Sequence, residues 1–286
     1  MTTEKQSASG LLRFRGVVSC FLLVAAFIAL VRAIAAPYSA TQRVVYVRGS
    51  TDAFGPTPTP PTCQGVLVTP LAQNFDLLIP PALPHGWLAT NALGPPPLWV
   101  TSDSGVPMPP ADSPPNSAFV DDPDVISDKR LDSTVLLPPE PGLQWRRLTF
   151  RHNFNFDADV DPAVGFDGGV LEISFDGGNT FQDILAAGGT FVGGGYNRTI
   201  ATDRGSPIAG RQAWSGSSEG FVTVTVDLPE MFLFQNLRWR MASDTTGSKE
   251  GWRVDNVIVI ECDNVRPPTP RPFPIPRSRP TPMPRP

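Results

Sequence analysis

Residues 148–156 read LTFRHNFNF, and an apolar or aromatic side chain occupies every second position of this stretch. A two-residue period is typical of a β-strand with one face in a core, because successive side chains of a strand point to opposite faces. The same pattern recurs later in the chain. It predicts further strands at Val170–Phe175, Phe221–Val226 and Val254–Ile260.

Glycine-rich turn signals separate these strands. They are Asp167-Gly-Gly169, Asp176-Gly-Gly-Asn179, Gly188-Gly189 and Gly193-Gly-Gly195. Short strands with Gly- and Pro-rich connections are typical of a two-sheet sandwich or a barrel. We therefore predict an all-β antiparallel fold, either a two-sheet sandwich or a barrel, in which the proline-heavy residues 80–115 form a surface connection or an edge strand.

The N-terminal residues 1–36 have the pattern of a signal peptide. Basic residues precede an uncharged apolar run from Gly16 to Val31, and small residues follow up to Ala36. If this segment is not cleaved, a hydrophobic helix over residues 16–34 would remain in the membrane as a signal-anchor. In both cases the rest of the chain is expected outside the cytoplasm, either secreted or tethered in the cell envelope.

Proline-rich flanks bound the predicted domain. Residues 37–61 form a Pro/Thr-rich linker, residues 62–263 the folded domain and residues 264–286 a basic proline-rich tail. Chains of this composition are extended and disordered, since they cannot build a core.

Charge is divided unevenly between the domain and the tail. Residues 63–263 contain 12 Lys and Arg against 25 Asp and Glu, whereas residues 264–286 contain five Arg and no acid. An acidic body argues against nucleic acid as the partner of the folded part. This excess of negative charge is typical of a soluble extracellular domain that binds cations.

Two cysteines, Cys63 and Cys262, lie at the two ends of the predicted domain. An oxidising compartment permits a disulfide between them, which would join the first and last segments of the fold. The alternative is two free thiols.

Seven short motifs follow one another along residues 63–263. They are Phe119-Val-Asp-Asp-Pro123, Ser127-Asp-Lys-Arg-Leu131, Leu148-Thr-Phe-Arg-His152, Asp167-Gly-Gly-Val-Leu-Glu-Ile-Ser174, Asp176-Gly-Gly178, Ala213-Trp-Ser-Gly-Ser217 and Gly251-Trp-Arg-Val-Asp255. Together they resemble the MAM-like jelly-roll module found beside immune-inhibitor-A-type metallopeptidases and in bacterial surface and secreted proteins. The resemblance implies a non-catalytic jelly roll whose first and last strands pair, in agreement with the positions of the cysteines.

The same resemblance implies a structural calcium ion, shared by an acidic residue of the first strand and the aspartate of the last strand. The corresponding residues here are Asp76 and Asp255, with Asp122 as a further ligand. The family more often has Glu at the first of these positions, and the shorter Asp changes the reach of that ligand.

A second candidate calcium group comes from spacing alone. It comprises Asp157, Asp159, Asp161 and Asp167, and its alternating start is that of an EF-hand loop. The loop then departs from the EF-hand pattern, with Pro162 at the sixth position and Gly168 at the twelfth. For both groups the alternative is solvated carboxylates in turns.

Catalytic constellations are not recognisable. The two histidines, His85 and His152, lack the helical spacing of a zinc peptidase, and we interpret His152 as a hydrogen-bonded structural group. The serines around Trp214 lack the spacing of a nucleophile elbow. A glycosidase carboxylate pair stays open, because its separation is spatial. We predict a non-enzymatic protein.

Aromatic residues in loops are candidates for sugar binding, since exposed rings offer flat contact area. The candidates are Trp87, Trp99, Tyr196 and Trp214, while Trp145, Trp239 and Trp252 lie in strand-like sequence and are expected in the core. For Trp214, a buried loop anchor is an equally supported interpretation.

These patterns predict an exported, calcium-stabilised jelly-roll module for surface adhesion or recognition, with a glycan or a surface protein as its ligand. The alternative from another class is an extracellular hydrolase, or an accessory domain of a secreted metallopeptidase system.

Overall fold

The computed structural model describes residues 61–139, 141–231 and 233–263, which belong to one compact unit. These residues form strands and no helix, so the prediction of an all-β fold is confirmed. The strands are β1 Val66–Gln73, β2 Leu88–Leu93, β3 Val100–Ser102, β4 Ser117–Val120, β5 Ser127–Asp132, β6 Leu143–Asn155, β7 Val164–Gly165, β8 Gly168–Ser174, β9 Gln182–Asp183, β10 Thr190–Gly193, β11 Arg198–Ile200, β12 Gln212–Ala213, β13 Val222–Asp227, β14 Asn236–Ser243 and β15 Gly251–Asp263.

The predicted export segment, residues 37–60 of the linker and the basic tail all lie outside the described residues. Within the described part of the chain, no helix is long and apolar enough to cross a membrane.

Two antiparallel sheets make up the sandwich. The seven-stranded sheet has the order β10-β13-β6-β15-β4-β3, and β1 also pairs with β15. The five-stranded sheet has the order β2-β5-β14-β8-β9. A small third sheet, β12-β11-β7, contains a parallel pair, β11 with β7.

The core lies between the two main sheets. In β6, the alternation of residues 148–156 places Leu148, Phe150 and His152 on the inner face, fully buried. Trp239 of β14 and Trp252 of β15 meet them from the two sheets and are also fully buried, as the sequence predicts. Trp145 is only half-buried.

The first and last strands pair, and a disulfide reinforces the pairing. Leu67 of β1 faces Cys262 of β15. Cys63 and Cys262 form a disulfide with their Cα atoms 5.6 Å apart, which confirms the predicted bridge.

The turn predicted at Asp167-Gly-Gly169 is wrong, because both glycines belong to strand β8. A Cβ on Gly169 would lie 2.5 Å from the Trp252 ring, and one on Gly168 would lie 2.7 Å from the carbonyl oxygen of Trp214. The two glycines therefore make room for close packing. By contrast, Gly177 and Gly178 do form the predicted turn after β8, with φ of 72° and 90°.

The proline-heavy stretch 80–115 contributes one edge strand to each main sheet, β2 and β3. Residues 103–116 then cover part of the outer face of the seven-stranded sheet, over β6 and β15. Arg253 of β15 is fully buried beneath this segment and donates hydrogen bonds to the carbonyl oxygens of Ser104, Val106, Pro107 and Pro110.

The outer face of the five-stranded sheet is covered only in part. Val170 of β8 and Ala242 of β14 point outwards and pack against Ile200, Ile208 and Ala213, which form a small second apolar cluster. The remainder of this face carries charged side chains.

Candidate functional site

Four arginines and four acidic residues lie together on the open part of the five-stranded sheet, and this group is here called the arginine–carboxylate strip. Its members are Asp128, Arg130, Asp132, Glu172, Asp183, Arg211, Arg238 and Arg240. Strand register produces the array. In β14, Arg238 lies opposite Asp132 of β5 on one side and Glu172 of β8 on the other.

The centre of the strip is a chain of shared carboxylates. Asp128 accepts two hydrogen bonds from Arg240, at 2.8 and 2.9 Å, and two from Arg130, at 3.1 and 2.6 Å. Glu172 accepts from both Arg240 and Arg211. Burial alone would raise the pKa of Asp128, but the hydrogen bonds from Arg130 and Arg240 hold it below its usual value. The central carboxylate is thus held ionised.

A second pair continues the strip towards the β8–β9 turn. Arg238 donates two hydrogen bonds to Asp132, at 2.6 and 2.8 Å, and its guanidinium lies 3.5 Å from the centre of the Phe181 ring. Phe181 also lines a shallow cleft of about 300 Å³ together with Phe175 and Thr180. Phe181 therefore contacts the arginine–carboxylate strip and also lines the cleft.

The strip is ordered and still accessible. The side chains of Arg130, Arg211 and Arg240 are 27, 25 and 17% exposed, whereas those of Asp128 and Glu172 are 4% exposed. Carboxylates thus form the floor, and the edges of the guanidinium groups reach solvent. Planar groups fixed in this way are suited to hydrogen bonding with a polar ligand.

Two of the predicted calcium ligands, Asp122 and Asp167, lie in a buried acidic cluster together with Asp244. Asp122 follows β4, Asp167 precedes β8 and Asp244 follows β14; they are 1, 0 and 0% exposed, respectively. Burial raises the pKa of Asp167, and the neighbouring carboxylates of Asp122 and Asp244 raise it further. Burial also raises the pKa of Asp122.

Of the other members of the EF-hand-like group, Asp159 and Asp161 lie elsewhere, whereas Asp157 borders the cluster, and its carbonyl oxygen accepts the N–H of Asp167 at 3.0 Å. Asp159 and Asp161 form surface turns, in which their carboxylates accept hydrogen bonds from the backbone N–H groups of Asp161 and Ala163. Asp157 is half-buried, and its Oδ1 lies 3.4 Å from Nζ of Lys249. The four predicted residues do not form one ligand set.

The pair Asp76 and Asp255 is also not assembled as a ligand set. Oδ2 of Asp255 accepts hydrogen bonds from the backbone N–H groups of Asp112 and Ser113, at 2.9 and 3.0 Å, and so anchors the covering segment. The carboxylate of Asp76 interacts with Asn74 and Asn116. Among the described residues, no group of three or more His, Cys, Asp or Glu side chains is arranged to hold a metal ion as it stands.

The loop aromatics predicted as sugar platforms need correction. Trp87, Trp99 and Trp214 are 8, 1 and 2% exposed and belong to the core. Trp87 stacks on Trp239 at 5.6 Å, and Trp99 packs edge-on against Trp252 at 5.3 Å. These rings come from loops that fold into the sandwich, so none of them offers a face to a ligand.

Tyr196 is only half-buried and packs against both apolar clusters. Its ring packs 4.8 Å from Trp214, and its hydroxyl accepts a hydrogen bond from the backbone N–H of Leu171 at 3.0 Å. Burial raises the pKa of this hydroxyl well above its usual value. Tyr196 therefore stabilises the fold.

His152 has the structural role predicted for it. It is fully buried, and its Nδ1 accepts a hydrogen bond from Nε1 of Trp252 at 3.3 Å. Burial lowers the pKa of His152 to about 3, and the neighbouring Arg151 adds to the effect. The imidazole is neutral at physiological pH.

The strip was missed from the sequence although a signal for it exists. Asp128, Arg130 and Asp132 alternate with Lys129 and Leu131 in β5. In β14, Arg238 and Arg240 alternate in the same way with apolar residues. Alternation of apolar and charged residues in neighbouring strands predicts a charged outer face, whereas the pairing that makes it continuous depends on strand order.

No protein-family model and no curated protein sequence matches the chain. Solved structures do show similarity. One is the K1 cleaved adhesin domain of Lys-gingipain from Porphyromonas gingivalis W83, with 15% identity, 68% of this chain and 98% of that chain covered, and a TM-score of 0.38. Another is TmCBM61 in complex with β-1,4-galactotriose, with 9% identity, 61 and 88% covered, and a TM-score of 0.35.

A third similar structure is a cyclase from Fischerella sp. TAU, with 16% identity, 70% of this chain and 100% of that chain covered, and a TM-score of 0.35. All three TM-scores are below 0.5, so these similarities carry no argument about the function of this chain.

Proposed function

We propose that this protein is an exported, non-catalytic recognition module that binds a glycan on its arginine–carboxylate strip. The observation that carries the proposal is the unbroken chain of hydrogen bonds from Arg130 through Asp128, Arg240 and Glu172 to Arg211, with partly exposed guanidinium edges. The relationship to MAM-like modules, which the sequence motifs suggest, is part of the same proposal.

The chemistry of the strip suits sugar hydroxyls. A hydroxyl both donates and accepts hydrogen bonds, and the strip presents donors beside acceptors at fixed positions. Because the side chains are already held in place, binding costs less conformational entropy than on a mobile surface. The four arginines and four acids balance in charge, which favours a neutral glycan over a polyanion.

Recognition is favoured over hydrolysis by the protonation states on this face. A glycosidase needs a carboxylic acid whose pKa is raised so that it can protonate the leaving group. In the strip, Arg130 and Arg240 hold the pKa of Asp128 low. The carboxyl groups with raised pKa values, among them Asp122 and Asp167, are buried.

The signal-like N-terminus and the disulfide support a location outside the cytoplasm. Disulfides persist in oxidising compartments and are rare in the cytosol. Cys63 and Cys262 are 199 positions apart in the sequence, so the bridge links the two ends of the folded domain.

A glycan array probed with the full chain tests the proposal, followed by titration of the hits against Arg130→Ala. This substitution leaves Asp128 with both hydrogen bonds from Arg240, so the fold is retained. We expect affinity to fall at least tenfold, equivalent to about 1.4 kcal/mol. Arg204→Ala is the matched control, because Arg204 is exposed and stacks on Phe166, outside the strip.

Unchanged affinity in Arg130→Ala, or an equal loss in Arg204→Ala, would contradict the proposed site. An array without hits would contradict glycan binding itself. Hydrolysis of a bound oligosaccharide would replace recognition with catalysis.

A further inference from the structure

One end of the sandwich carries three neighbouring apolar side chains that are exposed. Leu136, which follows β5, and Gln235, which precedes β14, form an antiparallel bridge with backbone N–O distances of 2.7 and 3.0 Å. Their neighbours Leu137 and Phe234 therefore lie beside each other on adjacent segments. Leu137, Leu233 and Phe234 are 68, 45 and 51% exposed and are here called the apolar tip. Apolar side chains grouped at a surface mark an interaction site more often than isolated ones do.

The guanidinium group of Arg146 in β6 joins the apolar tip to the other sheet. It donates hydrogen bonds to Oε2 of Glu261 in β15 at 2.7 Å, to Oε1 of Gln235 at 3.0 Å and to the carbonyl oxygen of Leu137 at 3.1 Å. Arg146 and Glu261 are both buried, and a charge-assisted pair of this kind has a well-defined geometry. The apolar tip is thus fixed beside the C-terminal end of β15.

Both flanks of the domain join it at this same end. Asp263, the last residue of β15, pairs with Val66, the first residue of β1. The linker that follows the predicted export segment leads into β1, and the basic tail with its five Arg and no acid follows Asp263. Val66 and Leu67 are themselves 53 and 59% exposed. The segment predicted for the membrane and the run of arginines are therefore both attached to the end that exposes apolar side chains.

The opposite end of the sandwich is acidic. There the start of β15 pairs with the ends of β4 and β6. The loops that follow β4 and β6 carry the exposed Asp124 and Asp161 and the half-buried Asp159. Strand β15 has 13 residues, so the two ends are about 40 Å apart. This distance exceeds the screening length of about 8 Å at physiological ionic strength. The acidic loops therefore do not oppose contact between the apolar tip and an anionic surface.

A lipid bilayer suits this distribution of apolar and charged groups. Apolar side chains gain free energy on leaving water for the acyl boundary, and arginines are attracted to anionic headgroups. One such signal gives weak, reversible binding, whereas an apolar contact and a basic segment together give stable attachment. Here both signals belong to one end of the domain.

We infer that this end of the sandwich lies on an anionic lipid surface, with Leu137, Leu233 and Phe234 at the acyl boundary and the basic tail on the headgroups. The inference is independent of glycan binding, because no residue of the apolar tip belongs to the arginine–carboxylate strip. Strand β14 runs away from this end. Arg238 and Arg240 of the strip therefore stand clear of the lipid.

A polarity-sensitive fluorophore on the apolar tip tests the inference in the full chain. It is attached at Phe234→Cys in a Cys20→Ser background, where Cys63 and Cys262 are held in the disulfide. The protein is mixed with vesicles of phosphatidylcholine and phosphatidylglycerol. We expect the emission to shift to shorter wavelength and to be quenched by lipids with a nitroxide on the acyl chain. The matched control is Val160→Cys, since Val160 is fully exposed in the acidic loop after β6, and it should show neither change.

A second variant separates the apolar tip from the predicted export segment, which can insert into vesicles by itself. With the label at Leu233→Cys, the double substitution Leu137→Glu with Phe234→Glu places charges where lipid contact is expected, and charged groups are costly there. Both positions are exposed, so the fold is retained, which urea unfolding checks. We expect the quenching to be lost in this variant and to be kept when Val160→Glu is introduced instead.

Three results would overturn the inference. The first is the absence of lipid quenching at position 234, or quenching of equal size at position 160. The second is a shifted emission at position 234 before vesicles are added, since the apolar tip would then be covered by another part of the chain or by a second copy. The third is quenching at position 233 that persists in the double glutamate variant.

Discussion

The outer faces of the two sheets differ in how they are covered. On the seven-stranded sheet, Arg253 is fully buried and bonded to backbone carbonyls of the covering residues 103–116. On the five-stranded sheet, arginines pair with carboxylates of their own sheet and stay partly exposed. The same residue type thus anchors a covering segment on one face and lines an accessible surface on the other, where we place the ligand site.

The largest expected effect comes from removing the anchor of the covered face. Arg253→Met would leave the carbonyl oxygens of the covering segment without their donor, and buried acceptors without partners are costly. We expect the free energy of unfolding in urea to fall by about 3 kcal/mol or more. A loss below about 1 kcal/mol, the range of a surface substitution, would mean that the covering segment is held by other contacts.

A somewhat smaller loss is expected from opening the disulfide between β1 and β15. The variant Cys63→Ser with Cys262→Ser frees the edge of the covered sheet, at a cost of about 2–4 kcal/mol. Comparison of urea unfolding with and without reductant measures the effect, and the double variant should no longer respond to reductant. A wild type that is equally insensitive would contradict a structural bridge.

The inward direction of His152 in β6 can be tested by pH. Because the folded-state pKa of about 3 lies below the ordinary 6.5, only the unfolded chain takes up a proton as pH falls through 6.5. This contribution to the free energy of unfolding is therefore complete above pH 6.5 and is lost towards pH 3. At pH 5 the loss amounts to about 2 kcal/mol. We expect the unfolding free energy of wild type to decline accordingly.

His152→Gln should remove that part of the pH dependence. The control is His85→Gln, since His85 is exposed. If the pH profiles of His152→Gln and wild type coincide, the histidine is not buried in the core.

The smallest effect on stability is expected on the open face. Arg130 is 27% exposed and pairs with Asp128, which Arg240 also holds. Exposed ion pairs contribute about 1 kcal/mol or less, so Arg130→Ala should change the unfolding free energy by no more than that. A much larger loss would assign the strip to structure instead of binding.

Sequence alone predicted the elements whose signal is local. The alternation in residues 148–156 gave β6 with the correct inner face, and the motif around Gly177 gave the turn after β8. Sequence alone did not predict the role of residues that depends on their packing partners in the folded core. The sequence predicts a turn at Gly168 and Gly169, but the two glycines make room for the backbone of Trp214 and the ring of Trp252.

The candidate sites were less predictable because they are assembled from distant segments. The strip combines β5, β8, β9 and β14, whose order in the sheet is not their order in the chain, with Arg211 from the residues before β12. The acidic cluster joins three loops, so the sequence patterns place Asp122 and Asp167 in different candidate groups and Asp244 in none. Trp87, Trp99 and Trp214 are buried, unlike aromatic residues that bind ligands at a surface. The residue type alone does not show which aromatic side chains are buried.

Hydrogen–deuterium exchange of the full chain, with and without a glycan identified on the array, tests the contrast between the two faces most directly. The proposal predicts slower exchange in β5, β8 and β14 on binding, and no change in residues 103–116. Protection of residues 103–116 with unchanged exchange in the five-stranded sheet would contradict it.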